Sequence, residues 1–142
     1  MPNYRAHALT GMSTAFVANL GMQYACLPVL PDGSRDLSKL DFVEAFLAIG
    51  VGLVGASLPD LLEPASSPNH RKFFHSSLLA GGTTGGVVKY CMAGKTENLN
   101  VKDIISDPGS RLLLAGQAAY YSHILLDART PKGVPLLGLK LC

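Results

Sequence analysis

Four long stretches without charged side chains, separated by short polar segments, dominate the hydrophobic pattern of the chain. They cover residues 6–31, 45–58, 73–88 and 112–126. Apolar positions in these stretches do not alternate over more than a few residues, as they would in half-buried strands. Proline stands near several of their ends, where it interrupts a helix. The pattern therefore predicts an all-α protein.

Proline and polar residues place the boundaries of four long helices. The first fills the charge-free stretch up to Pro28, the second runs over about 41–58, the third opens near His70 and lasts to about Met92, and the fourth covers about 111–128. Residues 94–110 are the most polar segment and predict a long loop with room for a short helix. Connections of these lengths favour a four-helix up-down bundle with a long polar loop between helices three and four. One domain spans residues 1–142.

Composition bears on the partners of this bundle and on whether it lies in a membrane. Charged residues make up 15% of the chain and hydrophobic residues 48%, whereas a typical soluble domain carries about 25% charged residues. The net charge of +2 and the absence of a basic run with interleaved aromatics argue against nucleic acid as a partner. Such a chain either buries most of its helices or lies in or on a membrane. A soluble cytoplasmic form and a homo-oligomer stay open, because the charge-free parts of helices two to four are about 15 residues long and a bilayer needs about 20.

The cysteines and the N-terminus limit the chemistry further. Three cysteines, at positions 26, 91 and 142, are widely spaced and form no CxxC pair. They predict a reducing compartment and exclude a cysteine zinc site, so any metal would be bound by histidine and carboxylate. The apolar N-terminal stretch is expected to be a helix of the mature protein rather than a signal peptide, because His7, Asn19 and Gln23 interrupt it.

His123 and Asp127 are the most informative pair in the sequence. They stand four residues apart in an apolar segment, so a helix places the imidazole and the carboxylate on one face, one turn apart. Thr130-Pro131 follows and ends that helix. Such a pair either forms a local hydrogen bond or binds a cation, and its burial among apolar neighbours is costly unless a partner compensates it.

An up-down arrangement brings further polar residues to the same end of the bundle. That end would collect every histidine of the chain and three of its ten acidic residues. The set consists of His7 in helix one, Asp60 and Glu63 after helix two, His70 and His75 before helix three, and His123 and Asp127 in helix four. Imidazole nitrogen and carboxylate oxygen from separate helices are the ligands that divalent metals use in bundles.

We therefore predict a metal site with the ligands His7, Asp60, His70, His75, His123 and Asp127. The number of ligands suits two ions, zinc first and manganese or iron as alternatives, and a two-metal site suits the hydrolysis of phosphate esters by an activated water. Asp60 or Glu63 would orient that water, and Arg71 would contact an anionic substrate. The competing interpretation is a buried polar cap without metal, in which Arg71 is only a surface charge.

The same residues resemble the membrane-bound metal-dependent hydrolase family, which includes a LexA-regulated inner-membrane member. The resemblance consists of His7 with Thr10-Gly11, Leu58-Pro59-Asp60, His70-Arg71 with His75-Ser76, Tyr121-Ser122-His123-Ile124-Leu125-Leu126-Asp127, and 130–135. Two positions depart from the family pattern. A second Asp usually follows Leu-Pro-Asp, where this chain has Leu61-Leu62-Glu63, and Lys72-Phe73-Phe74 replaces a Gly/Thr block.

The resemblance implies a helical membrane-associated hydrolase. A more distant similarity to zinc-dependent phospholipase C makes a phosphodiester, with phospholipids among the candidates, the expected substrate class. The alternative hypothesis is a non-catalytic metal-binding membrane protein with a structural or sensory role. A helical interaction subunit without metal is a third.

Overall fold

The structure is a computed structural model, which describes residues 4–63, 74, 76–93 and 100–129. These ranges contain five α-helices: α1 (Tyr4–Cys26), α2 (Phe42–Leu62), α3 (Ser77–Met92), α4 (Val101–Ile105) and α5 (Pro108–Ala128). A short 3-10 turn, Leu37–Lys39, and an isolated bridge between Val29 and Arg35 lie between α1 and α2. The described residues include no β-strand, which confirms the all-α class.

Side-chain caps explain where the long helices begin. Asp41 accepts a hydrogen bond from the backbone N–H of Glu44 at the start of α2, and Asp107 accepts one from Ser110 at the start of α5. Ser76 caps α3 through the N–H of Leu79. Each cap satisfies a backbone N–H that has no carbonyl partner within the first turn.

Three helix boundaries differ from those expected from the sequence. Helix α2 does not stop near Leu58; it continues through Pro59 to Leu62, so that Asp60 lies inside its last turn. Helix α3 begins at Ser77, and the short helix α4 occupies part of the segment expected to be a loop. Helix α5 begins at Pro108, because the first helical position tolerates proline, whose missing N–H is not needed there.

The core of the bundle is built from small residues on α1, α2 and α5, which pack against one another most extensively, while α3 packs against α5. Its centre consists of the fully buried residues Ala15, Ala48, Ala56, Ala115 and Ala119. Glycines let the backbones touch. A Cβ added at Gly55 would lie 2.5 Å from the carbonyl oxygen of Gly116, and one added at Gly11 would collide with Ala56.

One end of this core contains a buried ionic layer. Arg111 donates to both carboxylate oxygens of Glu44, from Nε at 2.8 Å and from Nη2 at 2.5 Å. Asn19 donates to the same carboxylate at 2.6 Å, and Gln23 donates to Asn19 at 2.7 Å. The layer joins the end of α1 to the starts of α2 and α5, and it fixes the register of the three helices.

Large apolar side chains lie mainly outside the bundle. Phe46, Leu47 and Val54 of α2, Val17 of α1 and Leu125 of α5 are all exposed. Among the described residues, α2 is the helix that is long and apolar enough to cross a membrane, and 28% of its apolar window is buried. The loop before α2 is polar: hydrogen bonds from Ser34 and from Ser38 lower the pKa of Asp32 and of Asp36 respectively, so both are charged at neutral pH.

Candidate metal centre

The end of the bundle opposite the ionic layer brings together four of the predicted ligands. His7 lies in the first turn of α1, Asp60 in the last turn of α2, and His123 and Asp127 in the last two turns of α5. The Nε2 atom of His7 is 3.5 Å from one carboxylate oxygen of Asp127. The Nε2 atom of His123 is 3.4 Å from the other, and 3.6 Å from an oxygen of Asp60. Helix polarity accounts for the convergence, because α1 begins where α2 and α5 end.

Three of these side chains are withdrawn from solvent. His123 and Asp127 are fully buried and His7 nearly so. The two imidazole rings are stacked, with centroids 3.9 Å apart and an interplanar angle of 25°. Burying a carboxylate is costly unless a proton or a cation neutralises it. A proton or a bound cation would reduce this cost.

A backbone contact fixes the orientation of the His123 ring. Its Nδ1 atom lies 2.6 Å from the carbonyl oxygen of Ala56 on α2. A carbonyl oxygen can only accept, so Nδ1 carries a hydrogen and Nε2 is the ring nitrogen that lies near Asp60 and Asp127. Histidine ligands of metal ions are held in this way, with the second ring N–H donated to a carbonyl or a carboxylate.

Two nitrogen–oxygen separations, each to a different oxygen of Asp127, are close to those between ligands of a single ion. Ligands at about 2.0–2.1 Å from a tetrahedral zinc ion lie about 3.3–3.4 Å from one another. Ligand atoms from His7, His123 and Asp127 all lie within 4.8 Å of one another, and the two shortest nitrogen–oxygen separations are 3.4 and 3.5 Å. These separations are longer than a normal N–H···O hydrogen bond of 2.7–3.2 Å. The residues present therefore fit a divalent ion.

Among the described residues of this cluster, Asp60 is the one whose side chain is open to solvent. Its side chain is 36% exposed, whereas those of His123 and Asp127 are 0% and 1% exposed. A catalytic metal site needs one open coordination position, and a structural site has none. Within the described residues, the side next to Asp60 is where water and a substrate would reach the centre.

Glu63, which caps the C-terminal end of α2, contacts the chain that precedes α3. One of its carboxylate oxygens accepts a hydrogen bond from the backbone N–H of Phe74 at 3.0 Å. The hydroxyl of Tyr120 donates to the carbonyl oxygen of Phe74 at 2.5 Å. Tyr120 is buried, against Ala80 and Ile124. The sequence pattern contains no signature for a role of the Tyr120 hydroxyl.

Some predicted site residues lie outside the described part of the chain. His70 and His75, predicted as ligands, and Arg71, predicted as a substrate contact, belong to this group, as does the Thr130-Pro131 helix stop. The structure thus brings together His7, Asp60, His123 and Asp127. The carbonyl of Ala56 was not predicted, since a backbone group gives no signal in the sequence.

Searches against protein-family models, curated proteins and solved structures gave no match to this chain.

Proposed function

We propose that this protein is a metal-dependent hydrolase of phosphoester bonds. One observation carries the proposal: His7, His123 and Asp127 converge, buried, from the start of α1 and the end of α5 at separations that suit a shared divalent ion. The ring of His123 is pre-oriented for this role by Ala56. A bundle end with imidazole and carboxylate from different helices is a common way to build such a site.

The first ion is held by His7, His123 and Asp127, with Asp60 beside it. This nitrogen and oxygen set favours zinc, with manganese or iron as alternatives. The described residues supply the ligands of one ion. A second ion would be held by His70 and His75 together with a carboxylate shared with the first site, and that part of the proposal comes from the sequence alone.

Each side chain then has a defined role. A bound divalent ion supplies a Lewis acid and lowers the pKa of a coordinated water toward about 7. Asp60, the most exposed of the four, orients the attacking water and accepts its proton, while Asp127 neutralises charge in the interior. Arg71 contacts the anionic phosphoester, because a guanidinium binds phosphate oxygens in a bidentate manner.

A non-catalytic metal centre with a structural or sensory role is the second candidate. Its support is the burial of His7, His123 and Asp127, since closed sites are typical of structural ions. The two functions place different requirements on Asp60. A structural site needs its carboxylate only as a ligand, whereas a hydrolase needs it to handle a proton.

We also infer a four-helix up-down bundle associated with an inner or plasma membrane. Contacts at both ends of the core make α2 and α5 parallel and α1 antiparallel to them, which agrees with that topology. The small-residue core and apolar exterior resemble membrane bundles, in which polar side chains face inward and small residues let helices approach. The part of α2 without charged side chains, residues 45–59, is about 22 Å long.

This location fits the resemblance to membrane-bound metal-dependent hydrolases, which consists of the motifs around His7, Asp60, His70 and His123. A membrane setting makes a phospholipid headgroup a natural substrate, and the phosphodiester is the chemistry common to lipid and soluble candidates. A homo-oligomer is compatible with the same apolar exterior.

A variant of Asp60 with a matched control at Leu61 tests the proposal. We would load detergent-purified protein with zinc or manganese and assay bis(p-nitrophenyl) phosphate and a phosphatidylcholine micelle. Asp60→Asn should keep the metal bound by the two histidines and Asp127 but lose about 100-fold or more in turnover, as expected for a general base. Leu61→Asn, on the exposed neighbouring position, is the matched control and should match the wild type. Metal-loaded wild type without turnover on either substrate would favour the structural centre.

A further inference from the structure

Both backbone polar groups of Phe74, its N–H and its carbonyl, are hydrogen-bonded to side chains near the candidate metal centre. Its N–H donates to Glu63, at 3.0 Å, and its carbonyl accepts from the hydroxyl of Tyr120, at 2.5 Å. Glu63, the C-cap of α2, follows Asp60 by three residues, and Tyr120 precedes His123 by three residues on α5. Both partners are therefore within about one helical turn of a predicted ligand.

The surroundings make these two hydrogen bonds an anchor rather than an incidental contact. Tyr120 is only 5% exposed and packs with Ala80 and Ile124, so its hydroxyl cannot turn to water. Two residues after Phe74, the buried Ser76 caps α3. The Tyr120 hydroxyl and the Glu63 carboxylate bind the carbonyl and the N–H of the same residue and so fix its backbone, because leaving a buried polar group unsatisfied costs free energy.

We propose that Glu63 and Tyr120 are positioning residues that fix the backbone of Phe74 at the metal end of the bundle. Phe74 is joined directly to His75, a predicted ligand of the second ion, so the anchor limits where that ligand begins. This consequence for metal binding rests on the proposed function; the anchor itself does not. Glu63 acts through a backbone N–H, which needs only an oxygen acceptor and no negative charge.

The requirement for an acceptor gives a sharp set of variants. Glu63→Gln keeps an oxygen that accepts from Phe74, whereas Glu63→Ala removes it. Tyr120→Phe removes the donor to the Phe74 carbonyl. Tyr121→Phe is the matched control. The hydroxyl of Tyr121 lies 2.9 Å from the hydroxyl of Thr84 on α3, so this variant also loses one hydrogen bond, but not one to Phe74.

Two readouts in detergent-solubilised full-length protein decide the proposal. Trypsin cleavage after Arg71 or Lys72 and hydrogen exchange of the Phe74 amide should each become about tenfold faster in Glu63→Ala and Tyr120→Phe. Glu63→Gln and Tyr121→Phe should stay within about twofold of the wild type. Wild-type rates in Glu63→Ala would overturn the anchor.

Metal content separates this inference from the proposed function. Zinc bound per chain should fall in Glu63→Ala and be retained in Glu63→Gln. Loss of metal in both variants would make Glu63 a ligand and overturn its positioning role. A wild type that binds no metal would refute the proposed function, and the cleavage comparison would still decide whether Phe74 is anchored.

Discussion

The Nδ1 atom of His123 on α5 lies 2.6 Å from the carbonyl oxygen of Ala56 on α2. This relationship directs the other ring nitrogen, Nε2, toward the carboxylates of Asp60 and Asp127. A backbone carbonyl from one helix thus sets the tautomer of a side chain on another. In the proposed metal site, this contact would orient the His123 ring before an ion binds.

The first prediction concerns this tautomer. In zinc-loaded protein, long-range proton–nitrogen correlation spectra of the histidine rings should show His123 protonated at Nδ1 and metal-bound at Nε2, because the Ala56 carbonyl requires a donor. His7 serves as an internal comparison, since it contributes Nε2 to the same cluster. A metal-induced shift at Nδ1 of His123 would contradict the geometry.

Two glycines on α2 should respond in opposite directions to the same substitution. Gly55→Ala places a Cβ 2.5 Å from the carbonyl oxygen of Gly116, so we expect a loss of about 1–3 kcal/mol of stability from overpacking. Gly50→Ala has open space around it and should gain about 1 kcal/mol from helix propensity. Thermal unfolding in detergent measures both. Equal effects would mean that α2 and α5 do not touch at Gly55.

Removing one partner of the buried ion pair between Arg111 and Glu44 should strongly destabilise the fold. Arg111→Met leaves the carboxylate of Glu44 buried without its guanidinium, and we expect about 3–5 kcal/mol of destabilisation. Adding Glu44→Gln should restore much of that loss, because the uncompensated charge disappears. Chemical unfolding of the single and double variants gives the coupling between the two residues. Additive losses would indicate that they act independently.

A charge on the outer face of α2 distinguishes a membrane location from a soluble one. Val54 is exposed in the middle of this helix and Leu61 near its end. In a bilayer, Val54→Asp costs about 3 kcal/mol of insertion free energy and should reduce the carbonate-resistant membrane fraction, whereas Leu61→Asp, near the interface, costs less. In a soluble bundle both variants would only add a surface charge. Wild-type fractionation of Val54→Asp would therefore contradict the membrane location.

The sequence predicted the helical class and the end of the bundle where the ligands meet, for one physical reason. Charge-free segments broken by proline and polar loops specify long helices, and the short connections around them make neighbours antiparallel. His123 and Asp127 could be paired from their spacing alone, because a helix has a fixed repeat. His7 joins this pair because α1 begins at the end of the bundle where α5 ends.

Other features depend on tertiary contacts that no local pattern records. Pro59 predicted a helix end, yet α2 continues through it to Leu62, and the packed neighbours outweigh the local preference. Glu44 and Arg111 are isolated charges at the edges of apolar segments, and the sequence gives no sign that they meet across the core. The contacts of the Ala56 carbonyl with His123 and of the Tyr120 hydroxyl with Phe74 join residues far apart in the sequence, so no local pattern records them.

Metal content of the purified protein tests the central claim most directly. Elemental mass spectrometry should find at least one equivalent of zinc, manganese or iron per chain, and two if His70 and His75 hold a second ion. His123→Ala and Asp127→Ala should each lose the metal held by this cluster, while Tyr90→Ala, at an exposed position of α3, should bind as much as the wild type. A wild type that contains no metal and takes up none on titration would contradict the account.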